Sequence, residues 1–205
     1  MTKGLSKGIT KENIVNVTLA LIRDQENIRS VNLREIARVL GCAHTNLYNY
    51  FADFDAILWE ALDTILVKST EFILSGMNEI KDPQAKLQLF YERLIDFYLQ
   101  NKGWFRLFWM EKLRGERTDS NIKLTADVVG EYVIILAQLF EELYGVKLAN
   151  QQTMYVFHTV HSYMYGEISI FIAGRGLISG EEEFKKYLLR ECLKVSKLLV
   201  LDPVC

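Results

Sequence analysis

The stretch Asn32-Leu-Arg-Glu-Ile-Ala-Arg-Val-Leu-Gly-Cys-Ala-His-Thr-Asn-Leu-Tyr-Asn-Tyr-Phe51 decides the fold of this chain. Asn32 offers a side-chain acceptor just before Leu33, with Glu35 three positions on, the pattern of a helix-opening capping box. Leu33, Ile36, Ala37 and Leu40 recur at helical spacing and form one apolar stripe. Gly41 is suited to the left-handed conformation that closes such a helix. Within about three residues a second short helix begins, His44 to Phe51, anchored inward by Leu47 and Phe51. His44, Thr45, Asn46 and Asn49 face outward at its start. Two short helices joined by a tight glycine turn describe a helix-turn-helix, and the small Ala37 lets the second helix approach closely. A helix of this diameter fits a major groove, and asparagine, a poor helix former, is a good reader of adenine.

Working outward, Ile14, Val17, Leu21 and Ile22 define one face of a preceding helix, Thr10 to Gln25. Downstream, Asp53 can cap a long helix striped by Ile57, Leu58, Ala61, Leu62, Ile65, Leu66, Phe72 and Ile73. Asp82-Pro83 opens another helix to Gln100. Gly103 is expected to break the chain before a short aromatic segment, Trp104 to Met110, and Gly115 to Ser120 reads as a turn. Helices then span Asn121 to Tyr144, Asn150 to Ala173 and Gly180 to Leu201, the last opened by a Ser179–Glu182 capping box. No stretch shows sustained period-2 alternation, and no internal repeat is visible. The expected fold is all-α with about nine helices: an N-terminal three-helix helix-turn-helix module over residues 1–52 and a larger C-terminal helical body over 53–205.

The 205 residues are half hydrophobic, with 2 prolines and 12 glycines, which suits long helices better than a many-turned β fold. The net charge of −2 argues at first against a polyanionic partner. Split at Phe51, it becomes seven Lys and Arg against four Asp and Glu in the head, +3, and 17 against 22 in the remainder, −5. No apolar run approaches the roughly 18 residues of a membrane span, and the first residues carry no secretory h-region. Cys42, Cys192 and Cys205 read as free thiols in a reducing cytoplasm. An enzyme reading finds no chemistry: there is no phosphate loop, no nucleophile elbow and no Glu-x-x-His pair. His158 and His161 stand at i and i+3 without a third ligand at recognisable spacing, so no metal and no cofactor are expected.

The quoted stretch resembles the DNA-binding module of the TetR family of transcriptional regulators, through Ile36-Ala37, Gly41, Leu47-Tyr48, Phe51 and the acidic Asp55. The resemblance covers Thr10 to Leu62. It implies a double-stranded operator as partner, contacted by Lys11, Asn32, Arg34, His44, Thr45, Asn46, Tyr48, Asn49 and Tyr50. Three departures stand out. Ala43 replaces the serine that usually caps the recognition helix, Thr45 replaces a frequent glycine, and Phe54 replaces a lysine common at the start of the next helix. No Lys or Arg lies between Arg38 and Lys68, so non-specific affinity must rest on Lys3, Lys7, Lys11, Arg34, Arg38 and helix N-termini.

For the body, the resemblance implies an effector cavity, apolar or aromatic in preference. The aromatic residues Phe97, Tyr98, Trp104, Phe105, Phe108 and Trp109 are candidates to line it, with His158, His161 and Tyr165 as polar anchors. The last two helices carry apolar residues on more than one side (Ile168, Ile170, Phe171, Ile172, then Tyr187 to Leu199). This suggests an intermolecular four-helix bundle, and the resemblance likewise implies a homodimer. The expectation is therefore a cytoplasmic, homodimeric, effector-responsive repressor reading a pseudo-palindromic site, with Asp53 to Met77 as the connecting lever. A helical small-molecule or lipid carrier that has lost DNA binding is the alternative, favoured by Ala43 and Phe54.

Overall fold

The computed structural model describes residues 9–202, so Lys3, Lys7 and Cys205 lie outside the described residues. All regular structure among them is helical: α1 Lys11–Gln25, α2 Leu33–Leu40, α3 Phe54–Leu74, α4 Pro83–Gln100, α5 Lys102–Trp109, α6 Asp119–Tyr144, α7 Asn150–Ile172 and α8 Glu181–Leu201. Short 3₁₀ segments fill Ile28–Ser30, His44–Asn49 and Met77–Glu79. The chain forms two compact units, one of residues to Leu66 plus Asn101–Asn121, the other of Val67–Gln100 plus the chain from Ile122. The expected division at 52/53 differs from this because α5, from mid-chain, packs on α1 and so belongs to the first unit.

The first unit is built on capped helices. Thr10 caps α1, its hydroxyl accepting from Asn13 N at 3.1 Å. Asn32 caps α2 as its sequence predicts, Oδ1 accepting from Arg34 N at 3.0 Å and Glu35 N at 3.2 Å. The Glu35 carboxylate accepts from Gln25 Nε2 at 2.8 Å, tying α2 to the end of α1. At the other end Gly41 takes φ +69°, and Cys42 N and Gly41 N bond the carbonyls of Ala37 and Arg38 at 3.0 and 3.3 Å. That is the Schellman closure, which satisfies carbonyls the helix leaves open. Replacing Asn32 with Ala removes both cap bonds and should cost about 1 to 2 kcal/mol, read as a lowered urea midpoint at unchanged slope.

Ile14, Leu19, Ile22, Ile36, Leu47, Ile57 and Phe105 are fully buried and make up the core of this unit. The expected break at Gly103 falls instead at Asn101, with φ −128° and ψ 54°, and Gly103 sits inside α5. Its role is close approach: a Cβ there would overlap the Ile22 carbonyl oxygen and lie 2.9 Å from the carbonyl carbon. Next to it, Trp104 Nε1 donates to the Leu19 carbonyl at 2.8 Å, a second tie between α5 and α1. Asp53 caps α3 as expected, accepting from Ala56 N at 2.8 Å.

In the second unit α4 packs against α7 and α8, and α7 packs against α8. Helix α4 opens at Asp82-Pro83 as predicted, Asp82 Oδ2 accepting from Ala85 N at 3.0 Å. It buries residues on several sides, among them Leu87, Phe90, Tyr91, Leu94 and Ile95, as a central helix must. Phe90 meets Tyr132 and Phe157 edge-on at 5.3 and 6.4 Å between centroids. Two buried hydroxyls find partners across helices: Tyr91 to Ser196 at 3.2 Å and Tyr132 with Thr70 at 3.2 Å. Burial pushes the Tyr132 hydroxyl up to about 12, so it stays a neutral hydrogen-bonding group at physiological pH. The Lys185 ammonium bonds Asp96 at 2.7 Å, joining α8 to α4 and raising the lysine's pKa. The expected Ser179 cap is corrected: Gly180 is the N-cap of α8, with no side-chain cap bond, and three glutamates in the first turn meet the open amides electrostatically.

Candidate nucleic-acid interface

The segment after the turn glycine differs from its expectation. A helix over His44–Phe51 is predicted, whereas His44–Asn49 is a 3₁₀ segment. The reason is local: Ala43 brings no side-chain acceptor, and Asn46 N bonds the Ala43 carbonyl at 3.0 Å in the tighter i→i+3 pattern. The 3₁₀ period of three aligns side chains in rows, so Thr45 and Tyr48 share one row and Asn46 and Asn49 another. The two inward anchors hold, with Leu47 at 1% and Phe51 at 6% exposure. Thr45, Asn46 and Asn49 are exposed, Tyr48 is 52% exposed, and Tyr50 is half-buried.

Asn32, Leu33, Arg34, His44, Tyr48 and Phe54 surround one open depression of about 520 Å³. Four of the predicted contact residues are thus gathered at the junction of α2, the 3₁₀ segment and α3. Thr45, Asn46 and Asn49 stand on the same segment outside that rim. Lys11 is placed differently, its ammonium 5.3 Å from the Phe51 ring centroid. That position combines a cation–π contact with an exposed charge beside Phe51.

At the start of α3 lies a feature that sequence reasoning missed. The loop after α5 returns to the start of α3, where Arg114 N donates to Asp55 Oδ1 at 3.0 Å and Trp59 Nε1 donates to the Arg114 carbonyl at 2.9 Å. Asp55 and Trp59 stand one turn apart on α3, so both backbone groups of Arg114 are held by one helix face. Gly115, at φ +77°, supplies the turn that follows. The glycine was the only signal, because pairings across more than fifty positions leave no periodic mark.

The predicted effector residues fall into both units. In the second, Phe97 and Tyr98 are buried, and the Tyr98 hydroxyl pairs with His161 Nε2 at 3.1 Å. Phe157, absent from the prediction, lies 5.4 Å from the His161 ring. Desolvation by these aromatic neighbours, then the nearby His158, pushes the His161 imidazole down to about 4, so it is neutral at physiological pH. His158 is exposed and Tyr165 half-buried. Trp104 and Phe105 are buried in the first unit, where α5 packs on α1. Phe108 and Trp109 meet at 4.9 Å on the outer side of α5, the latter 37% exposed. Of the apolar residues expected to join two copies, Ile168 and Leu188 are fully buried in the second unit, while Ile170 and Leu198 are 46% and 58% exposed.

No family model matches the chain. Among solved structures it is similar to a protein of unknown function from Rhodococcus sp., at 12% identity and TM-score 0.75, covering 97% of this chain and 100% of that one. A TetR variant from Acinetobacter baumannii in complex with minocycline is 14% identical, with TM-score 0.65 and the same coverage. The TetR-family regulator PfmR from Thermus thermophilus is 20% identical, with TM-score 0.58, covering 88% of this chain and 94% of that one. The chain has a TetR-like fold.

Within this TetR-like fold the departures take on positions. Ala43 is the uncapped start of the 3₁₀ segment, Thr45 is an exposed residue on it, and Phe54 lines the depression where a lysine is common. Among the described residues no His, Cys, Asp and Glu are grouped to hold a metal ion, and no helix is long and apolar enough to cross a membrane.

Proposed function

We propose that this chain is a cytoplasmic transcriptional repressor that binds a pseudo-palindromic operator as a homodimer and responds to a small apolar or aromatic effector. The observation that carries the reading is the exposed set His44, Thr45, Asn46, Tyr48 and Asn49 on a segment pinned by buried Leu47 and Phe51. Residues 1–52 would carry DNA binding, and the remainder would carry the effector site and the dimer contact. The TetR-like fold supports the regulator reading, and the exposed Ile170 and Leu198 support an apolar contact between two copies. The neutral His161 and its Tyr98 partner, set among aromatic rings, support an uncharged effector. The effector would act by preferring one spacing of the two reading heads over the other, α3 carrying the change.

Selection from a randomised duplex pool tests this. The expected product is a palindrome whose half-sites lie about one helical turn, roughly 34 Å, apart. On that duplex, Tyr48→Ala and Asn49→Ala should each weaken binding roughly tenfold or more, and Asn49→Ala should also relax the preference at one base pair. Wild-type binding by both variants would remove the proposed reading surface. A monomer in sedimentation at micromolar concentration would remove the symmetric site. The carrier reading, favoured by the uncapped Ala43, takes over if no sequence is enriched at low salt.

A further inference from the structure

We propose that Arg114, carried on the loop after α5, is a DNA-backbone contact that replaces the phosphate-binding charge missing from the start of α3. The proposal rests on the DNA-binding reading above. It begins with a deficit: from Val39 to Val67 the chain has no Lys or Arg, and the first residue of α3, Phe54, presents an apolar ring to the depression. A duplex seated against His44, Tyr48 and Asn32 would run its sugar–phosphate edge past the first turn of α3 with no side-chain cation from that helix or the reading segment to meet it. Phosphate contacts supply most of the sequence-independent affinity of such complexes, so this is a costly gap.

The loop fills it from elsewhere in the sequence. The Arg114 amide is bound by Asp55, the residue after Phe54, and its carbonyl by Trp59 one turn further on. Both bonds are to backbone atoms, so the guanidinium is not used up in fixing the loop, and Arg114 is exposed. An arginine whose backbone is already ordered has less freedom to lose on binding, and its planar fork suits a phosphate better than an ammonium does. Asp55 has a double effect. Its carboxylate near the duplex would repel phosphate, but here it is engaged by the Arg114 amide at 3.0 Å and brings a cation to its own position. Of the other bases on this loop, Arg117 is turned to Asn121 Oδ1, with Nε at 2.7 Å, and Lys112 is exposed two residues before the clamp, so Arg114 is the base whose own backbone α3 holds.

The test uses the full chain, the duplex recovered by selection, and poly(dI-dC) as a non-specific competitor. Arg114→Ala should weaken binding roughly tenfold on both duplexes alike, and should make the slope of log affinity against log salt shallower by about 1. Arg114→Lys should restore the slope and part of the affinity. Trp59→Phe, which removes the indole N–H and keeps the charge, should weaken binding severalfold while leaving the slope as in wild type. Thermal midpoints measured in parallel separate these effects from unfolding. If Arg114→Ala keeps wild-type affinity and slope while the unmodified chain binds its operator, the Arg114 role is overturned and the regulator reading stands. If the unmodified chain binds neither duplex at low salt, both are overturned.

Discussion

Gly103→Ala is expected to destabilise the first unit by at least about 3 kcal/mol, enough to lose most of the stability of a marginal domain. The methyl group would overlap the Ile22 carbonyl oxygen, and the atoms in its way, Ile22 O, Ile22 C and Glu26 Cα, are all backbone. A flexible side chain could swing aside at small cost, whereas a helix backbone cannot. Relief therefore requires α5 to move away from α1. That would strain the bond from Trp104 to the Leu19 carbonyl and open the core around Phe105. Differential scanning calorimetry and denaturant unfolding of the full chain measure the effect. A midpoint within about half a kcal/mol of wild type would show that α1 and α5 are not in this close contact.

The second large effect follows from His161. In the unfolded chain its imidazole titrates near 6.5, and in the folded chain near 4, because burial and then His158 disfavour the cation. Between these values the unfolded state binds a proton that the folded state refuses, so stability falls as pH drops through that window and levels off below it. The loss is about 2 to 3 kcal/mol, allowing for the part of the ring that solvent still reaches. His161→Gln keeps an acceptor for the Tyr98 hydroxyl but has no proton to gain. Urea unfolding of both forms across this range should give a wild-type curve steeper by nearly one proton, with the two converging in slope at neutral pH. Equal slopes throughout would show an imidazole that is already solvated in the folded state.

Much of the fold was legible because its signals are local. Asn32 and Asp53 as caps, Gly41 as the left-handed stop, and Asp82-Pro83 as an opener all act within a turn of where they stand in the sequence. The failures share the opposite property. Gly103 reads as a breaker by composition, yet its partner is Ile22, 81 positions earlier, and tertiary approach decides the matter. The His44 segment was placed correctly but given the wrong pitch, because a missing cap at Ala43 weakens the first turn without abolishing it. In the candidate site, the exposed side chains of the His44–Asn49 segment follow from two buried anchors at Leu47 and Phe51 and were visible in advance. The aromatic residues around Trp104 were not separable into core and lining by spacing alone, since both uses ask for the same side chains.

The order in which the polypeptide is made gives the placement of α5 a further meaning. The first unit is left at Leu66 and completed only by residues Asn101–Asn121. As synthesis proceeds, the face of α1 that will receive Trp104 and Phe105 emerges from the ribosome and waits uncovered while the next thirty-four residues, Val67–Gln100, are added. A prematurely terminated product therefore carries the His44–Asn49 segment but lacks part of the core of its unit. Such a fragment, with an apolar face left uncovered, is a ready substrate for proteolysis. A discontinuous first unit in this way ties its completed core to chains whose synthesis has passed Asn101–Asn121.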